Sequence, residues 1–252
     1  MALYLIGIGL CDEKDISIRG IEAVKAADEV YIEYYTNILQ VPVSTLESFY
    51  QKKLVLAARD TVEKDGDKIV EKAKSKDVAF LIVGDVFSAT THSDLYSRAK
   101  KAGVQVYVIH NASVLTAIGI TGLSLYKFGK TASIPFPQKD CQIDTPYEVL
   151  EQNLSQGFHT LMLLDLDPKG ERFLTVREAI LQLKTMESRK HKVLLLPKSE
   201  IVVCARLGCP DTIIRSGQVS ELETQDFGKP PYCLIFPAKM HFMEEEVLDS
   251  FR

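Results

Sequence analysis

Three short clusters hold the residue types from which a binding site can be built. They are Gly7-Ile-Gly9, Gly84-Asp85 with Ser88, Thr90 and Thr91 close behind, and Asn111-Ala-Ser113-Val114. Each follows an apolar run of strand-like length. A glycine turn after a strand lets a ligand approach the backbone, and an open α/β sheet gathers such turns at the carboxyl ends of its strands, where cofactors bind. Gly7-Ile-Gly9 starts a dinucleotide-type fingerprint but lacks its third glycine, and no Lys-Ser/Thr pair follows to make a triphosphate loop. The same glycines also suit a plain tight turn between strand and helix, and the two readings are compatible. Asp85, at a strand end, can bind a ribose hydroxyl, a metal or a helix N-terminus. Thr90, Thr91 and Ser93 are alternative caps for the helix that follows. Capping explains the hydroxyls, whereas Asp85 stands too far before Ser93 to share that role. Asn111 to Ser113 reads locally as a plain N-cap, and it places a third such loop after a third strand. His92 has no second histidine or carboxylate at metal-ligand spacing and reads as structural or substrate-facing. Glu33, at the end of the second strand, can imitate the ribose-binding acid of a dehydrogenase, but the missing third glycine argues against that class.

These loops need a scaffold, and the chain alternates strand and helix patterns to supply one. Leu3–Ile8 is a continuous apolar run, as expected for a strand buried on both faces. Asp15 is the expected cap of a helix in which Ile18, Ile21, Val24 and Ala27 recur at near-helical spacing. Strands are expected over Glu29–Tyr34, Lys53–Ala57, Asp77–Val83 and Gln105–Ile109. Helices are expected over Ser44–Tyr50, Val62–Lys74 and Ser93–Lys101. This rhythm predicts a mostly parallel sheet. Ala112–Leu125 follows as a helix ended by Gly122. Beyond it come a strand at Lys130–Pro135, a helix at Pro146–Gln156, a strongly apolar strand at His159–Leu166 and a helix at Thr175–Lys190. Strands at Lys192–Leu196, Ile201–Leu207 and Tyr232–Phe236, without long helices between them, predict a mixed sheet. The domain break is placed near Leu125–Gly129, giving α/β domains over residues 1–125 and 126–252. Glu244 to Glu246 reads as the solvated face of a short final helix, with His241 a surface residue before it.

Composition narrows the function classes. The 252 residues are 46% hydrophobic with a net charge of −4, which suits a globular protein with a real core and gives no basic surface for nucleic acid. Met1–Leu10 is apolar but too short for a leader, and no run of about 18 apolar residues predicts a membrane span. The five cysteines, Cys11, Cys141, Cys204, Cys209 and Cys233, are scattered and read as reduced thiols rather than a zinc set. No metal site is expected.

Several separated segments, in order, carry a resemblance: LYLIGIGL, the helix region Asp15–Asp28 running into VYIEYYT, VGDVFSATTH, VIHNASV with GLSLYKFG, HTLMLLDL, and FGKPPYCLIFPAKMH. Together they resemble the diphthine synthases, a branch of the tetrapyrrole-methylase fold group, over nearly the whole chain. Wider tetrapyrrole methylases usually carry Gly-Pro-Gly-Asp after the first strand. Gly9-Leu-Cys-Asp12 here fits the diphthine branch better.

The resemblance implies two α/β domains with S-adenosylmethionine in the cleft between them, commonly in a cytoplasmic homodimer. It implies methyl transfer to the amine of a 3-amino-3-carboxypropyl group on a histidine of elongation factor 2, with no nucleic acid, membrane or metal involved. Carried over position by position, the cofactor-binding set is Leu10, Asp85, Ser88, Ser113, Val114, Leu164, Ser216 and His241. Asp165 and His241 are the candidates to accept the amine's protons. Val86 stands where the family often has proline, and Ser88 where glycine or alanine is common. The implied reaction ends at a trimethylammonium or continues to a methyl ester, and the compact stretch between Leu166 and Lys192 leans toward the former. The competing readings are a small-molecule methylase of the corrinoid or sirohaem type and a non-catalytic metabolite-binding α/β protein.

Overall fold

The computed structural model describes residues 1–33, 37–58, 66–138, 142–167 and 171–252. The chain divides into two compact units, Met1–Ala117 and Ile118–Arg252. The first is built on five strands: β1 (Ala2–Gly7), β2 (Glu29–Glu33), β3 (Leu54–Ala57), β4 (Val78–Ile82) and β5 (Gln105–Ile109). All pair in parallel, in the order β3-β2-β4-β1-β5.

β1 and β4 lie inside the sheet and are buried on both faces, which is why their sequences are continuous apolar runs. α1 (Ile18–Ala26) and α2 (Val43–Tyr50) pack on one face, where Val24, Ala27, Leu46 and Tyr50 meet Ile6, Ile8, Ala79 and Leu81. α3 (Gly66–Ala73) and α4 (Ser93–Lys101) pack on the other, where Ile69, Val70, Ala73, Leu95 and Ala99 meet Leu3, Leu5, Phe80 and Ile82. The chain leaving β1 crosses to β2 on one side, and the chain leaving β4 crosses to β5 on the other. Right-handed crossovers in opposite directions place the helices on opposite faces. The carboxyl ends of β1 and β4 therefore form the topological switch point of the sheet, the place where open α/β sheets bind ligands. A short helix, α5 (Val114–Ala117), closes the unit.

The second unit is a mixed sheet ordered β11-β10-β12-β7-β6, formed by β6 (Ala132–Ile134), β7 (Thr160–Leu164), β10 (Glu200–Ala205), β11 (Ile213–Gln218) and β12 (Tyr232–Phe236). β6 and β7 are parallel and the other pairs antiparallel. A two-stranded ribbon, β8 (Leu166–Asp167) with β9 (Arg172–Phe173), follows β7. α6 (Thr145–Ser155), α7 (Val176–Lys190) and the short α8 (Val219–Leu222) pack against one sheet face through Tyr147, Leu150, Ile180, Leu183 and Leu222. α9 (Phe242–Asp249) ends the chain.

Most expected elements are present, and the differences have local causes. Ser17, not Asp15, caps α1, accepting from the Gly20 amide at 3.1 Å, while Ile18 of the expected apolar set lies exposed. The expected helix at Ala112–Leu125 is the short α5 followed by 3-10 turns at Ile118–Thr121 and Leu125–Lys127, with Gly122 at φ +82° between them. Lys192–Leu196 is not a strand. The amides of Leu194 and Leu195 donate to the Glu187 carboxylate rather than to a neighbouring strand. β11 was not foreseen, because Ile213–Gln218 breaks its apolar pattern with arginine, serine and glycine. Cys204 and Cys233 are free and buried, in keeping with their reading as reduced thiols, whereas neither Cys11 of the first unit nor Cys209 of the second is a free thiol, contrary to that reading. Tyr34, Cys141 and the start of the expected helix Val62–Lys74 lie outside the described residues.

Candidate active site

The three loops expected to share a sheet edge are tied to one another in the first unit. Gly9 and Gly84 exchange backbone hydrogen bonds, Gly9 N to Gly84 O at 3.3 Å and Gly84 N to Gly9 O at 2.7 Å. Both glycines have φ +82°, a conformation that L side chains rarely adopt. At Gly9 a Cβ would also come within 2.2 Å of Asp15 Cβ. The Asp15 carboxylate accepts from the amides of Leu10 (3.0 Å) and Cys11 (2.7 Å), fixing the loop after β1. Asn111 joins the third loop to the first by donating from Nδ2 to Gly7 O at 3.0 Å and to Asp15 O at 2.9 Å.

Asp85 binds the second loop to the third. Its Oδ1 accepts from the Phe87 amide (3.2 Å) and from Ser88 Oγ (3.0 Å). Its Oδ2 accepts from the Asn111 amide (3.1 Å) and meets His110 Nδ1 at 2.8 Å. Burial on its own would raise the pKa of Asp85, but these bonds, led by that from His110, outweigh it and hold the group below its ordinary value. Four donors fill the usual capacity of a carboxylate. Asp85 is thus the anion that organises both loops.

The other named residues of this unit sort clearly. Ser88 contributes its side chain to Asp85, and Val86 is fully buried with Leu95 in the core. Ser113 is buried, and its carbonyl accepts from the amides of Thr116 and Ala117 as α5 begins, with Val114 half-buried beside it. Leu10 is buried. Its Cδ2 and the Ala112 carbonyl both lie 3.8 Å from where a Cβ on Gly84 would stand, so the glycine is set by its φ of +82° and not by close packing. Thr90 Oγ1 donates to Val86 O at 2.7 Å instead of capping α4, whose N-cap position is His92, with no capping bond from its side chain. His92 is completely buried, with Nε2 3.3 Å from Glu33 Oε2. Burial pushes its pKa down to about 4, so it is neutral near pH 7 and structural rather than substrate-facing. Glu33 is buried too and accepts from the Val83 amide at 3.1 Å, so it is no ribose-binding acid.

In the second unit the candidates do not form one cluster. Leu164 ends β7 with its side chain among the residues covered by α7. Ser216 lies within β11 in the row Ser216–Val202–Ile235–Leu161, three residues out of step with Leu164. Alternation along a strand therefore puts Ser216 on the opposite sheet face. Ser216 donates to Glu200 Oε1 at 3.2 Å and lines a polar cleft with Lys198, Arg215 and Arg252. The Asp165 carboxylate is engaged by the amides of Phe136 (3.1 Å) and Leu166 (3.0 Å). His241 is the exposed N-cap of α9, accepting from the Met243 amide at 3.4 Å.

Glu245 and Glu246 are exposed, as expected of a solvated face, but Glu244 is not part of that face. It is buried and accepts from the amides of Ser124 (2.9 Å) and His241 (2.8 Å), from His159 Nε2 (3.1 Å) and from Lys127. His159 Nδ1 accepts from the Ala238 amide at 2.9 Å, so its proton sits on Nε2, facing Glu244. Burial lowers the His159 pKa, and the imidazole is neutral. Sequence reasoning passed over two residues, Glu244 and His110. Only the IHNAS motif contained a signal for His110, and the charge pattern hid Glu244.

No group of three or more metal-ligating side chains, and no helix long and apolar enough to cross a membrane, occurs among the described residues.

A parallel sheet with ligand-type loops tied together at its switch point is the architecture of an α/β cofactor-binding domain. The family described as Tetrapyrrole (Corrin/Porphyrin) Methylases matches residues 2–223. A probable diphthine methyl ester synthase of Arabidopsis thaliana is 44% identical, covering 99% of this chain and 98% of that protein. The diphthine synthase of Methanocaldococcus jannaschii is 42% identical over 98% of this chain and 97% of its own. A crystal structure of a diphthine synthase superposes with a TM-score of 0.91 at 38% identity, covering 100% of this chain and 96% of the other. The chain belongs to the tetrapyrrole methylases and, among them, to the diphthine synthase branch, and it is a methyltransferase.

Proposed function

We propose that this protein transfers methyl groups from S-adenosylmethionine to the amino nitrogen of the 3-amino-3-carboxypropyl group carried by a histidine of elongation factor 2. The observation that carries this reading is the full-length similarity to diphthine synthases, with every loop segment of the resemblance present in order. The loops held around Asp85 suit a polar ligand lying against backbone. The residues proposed to hold it are Leu10, Asp85, Ser88, Ser113 and Val114 of the first unit and Leu164, Ser216 and His241 of the second. Leu164 would act through its backbone, since its side chain belongs to the core.

When bound, S-adenosylmethionine supplies a methyl group already activated by its sulfonium. The protein's work is then to align acceptor nitrogen and methyl carbon and to exclude water, which suits a rigid loop constellation. A cytoplasmic homodimer is part of the same proposal. Successive N-methylation to the trimethylammonium is the main reading. The name of the Arabidopsis relative favours a fourth transfer, onto the carboxylate, as the second.

Counting methyls decides between them. The purified protein would be incubated with S-adenosylmethionine and elongation factor 2 carrying the unmethylated intermediate, and the modified peptide weighed. Three added methyls fit diphthine and four its methyl ester. No added mass, with a known diphthine synthase active on the same substrate, overturns the acceptor.

A further inference from the structure

An amine that enters as R–NH3⁺ has no lone pair with which to attack. Going from R–NH3⁺ to R–N(CH3)3⁺ releases three protons, one before each transfer, and something must accept them. The ionisable groups at the switch-point edge are mostly committed. Glu33 and His92 are sealed in the interior, the Asp15 carboxylate holds two amides, and the Asp85 carboxylate holds four donors.

His110 differs. Its side chain is 66% exposed while its Nδ1 lies 2.8 Å from the nearly buried Asp85 carboxylate. The Phe87 ring stands edge-to-face against it at 6.3 Å. An imidazole whose Nδ1–H is given to a carboxylate presents the Nε2 lone pair outward. An imidazole and the fixed anion that orients it form the second and third members of the nucleophile, base and orienter arrangement used by many enzymes. Asp165 and His241, the candidates from sequence, are engaged differently: the Asp165 carboxylate accepts from two amides, the His241 ring accepts from the Met243 amide, and it is the His241 backbone amide, not the ring, that meets the Glu244 carboxylate.

We infer that His110, oriented by Asp85, is the general base that frees the acceptor amine before each methyl transfer. This rests on the methyltransferase reading above. In each cycle the Nε2 lone pair takes an N–H proton, and the electrons of that bond stay on the amine nitrogen. The amine lone pair then forms the N–CH3 bond as the C–S bonding pair returns to sulfur. The exposed imidazolium gives its proton to water before the next cycle.

The test uses the full-length protein, His110→Ala and His110→Gln, with the acceptor protein described above. Loss of a general base should lower kcat by roughly 10²–10⁴-fold with KM nearly unchanged. Affinity for S-adenosylhomocysteine, read by calorimetry, should be unchanged, and added imidazole should restore part of the His110→Ala rate. Independently of turnover, the ¹⁵N spectrum of His110 should show the Nδ1–H tautomer in the parent and a mixture in Asp85→Asn. A His110→Ala rate within about threefold of the parent, smaller than any general-base contribution, overturns the inference alone. So does loss of S-adenosylhomocysteine binding without imidazole rescue, which makes His110 a positioning residue. A parent protein that binds S-adenosylhomocysteine but transfers nothing overturns this inference together with the proposed function.

Discussion

Replacing Glu244 with glutamine keeps the volume of the side chain and removes the charge on which four donors converge. One amide oxygen can still accept from the Ser124 amide and His159 Nε2. The new NH2 group then faces the Lys127 ammonium and the His241 amide, donor against donor. Burial on its own would raise the carboxyl pKa, yet the bonds from His241, Lys127, Ser124 and His159 bring it from an ordinary 4.5 to about 2. At about 1.4 kcal/mol per tenfold change in proton affinity, that distance corresponds to ~3 kcal/mol of stability at pH 7. The folded pKa is depressed, so the contribution is complete above about pH 5 and is lost as pH falls toward 2. By pH 3 it shrinks to roughly 1.5 kcal/mol. Scanning calorimetry of the parent and Glu244→Gln should give melting temperatures roughly 6–12 °C apart at pH 7, with the gap about halved at pH 3. Equal melting temperatures at pH 7, or a gap that does not narrow on acidification, would refute the view that this buried carboxylate is ionised and stabilising.

Three further outcomes are expected. Asp85→Ala removes the acceptor for four donors and should weaken S-adenosylhomocysteine binding at least tenfold, about 1.4 kcal/mol; an unchanged calorimetric Kd in a folded variant removes Asp85 from the site. Gly9→Ala forces a side chain into φ +82° and against Asp15. It should lower both the melting temperature and the cofactor affinity, and a variant that keeps both contradicts the account of the loop. Thr175→Ala removes the reciprocal cap with Glu178 at the start of α7 and should cost about 1 kcal/mol without affecting methyl transfer. A catalytic loss there would mean that α7 reaches the site.

The sequence alone determined what is written in local periodicity and local motif. Leu3–Ile8 reads as a strand buried on both faces, and Asp77–Val83 reads as a strand, because both of their faces are covered by helices and a residue's burial dictates its type. Tyr232–Phe236 and Ser93–Lys101 match the structure residue for residue for the same reason. The loop motifs were legible because a glycine at φ +82° and an acid at a strand end are requirements of the backbone at one position. Ile213–Gln218 escaped because that strand carries no apolar alternation, and Lys192–Leu196 misled because apolar residues there face a carboxylate-bound turn.

Tertiary structure decided which of these pieces meet. The strand order sets β1 between β4 and β5 and thereby joins Gly7, Gly84 and Asn111, residues whose partnership no spacing reveals. It turns Asp85 toward His110, 25 positions later, and so selects one histidine from five. Glu244 looked like a solvated charge because its partners Ser124, Lys127 and His159 stand 120, 117 and 85 positions away. A periodic pattern records that a face is covered, whereas the identity of the covering group comes only from long-range packing. For that reason the scaffold and its loops could be read from the chain, while the hydrogen-bond partners that set each carboxylate's charge and each imidazole's tautomer could not.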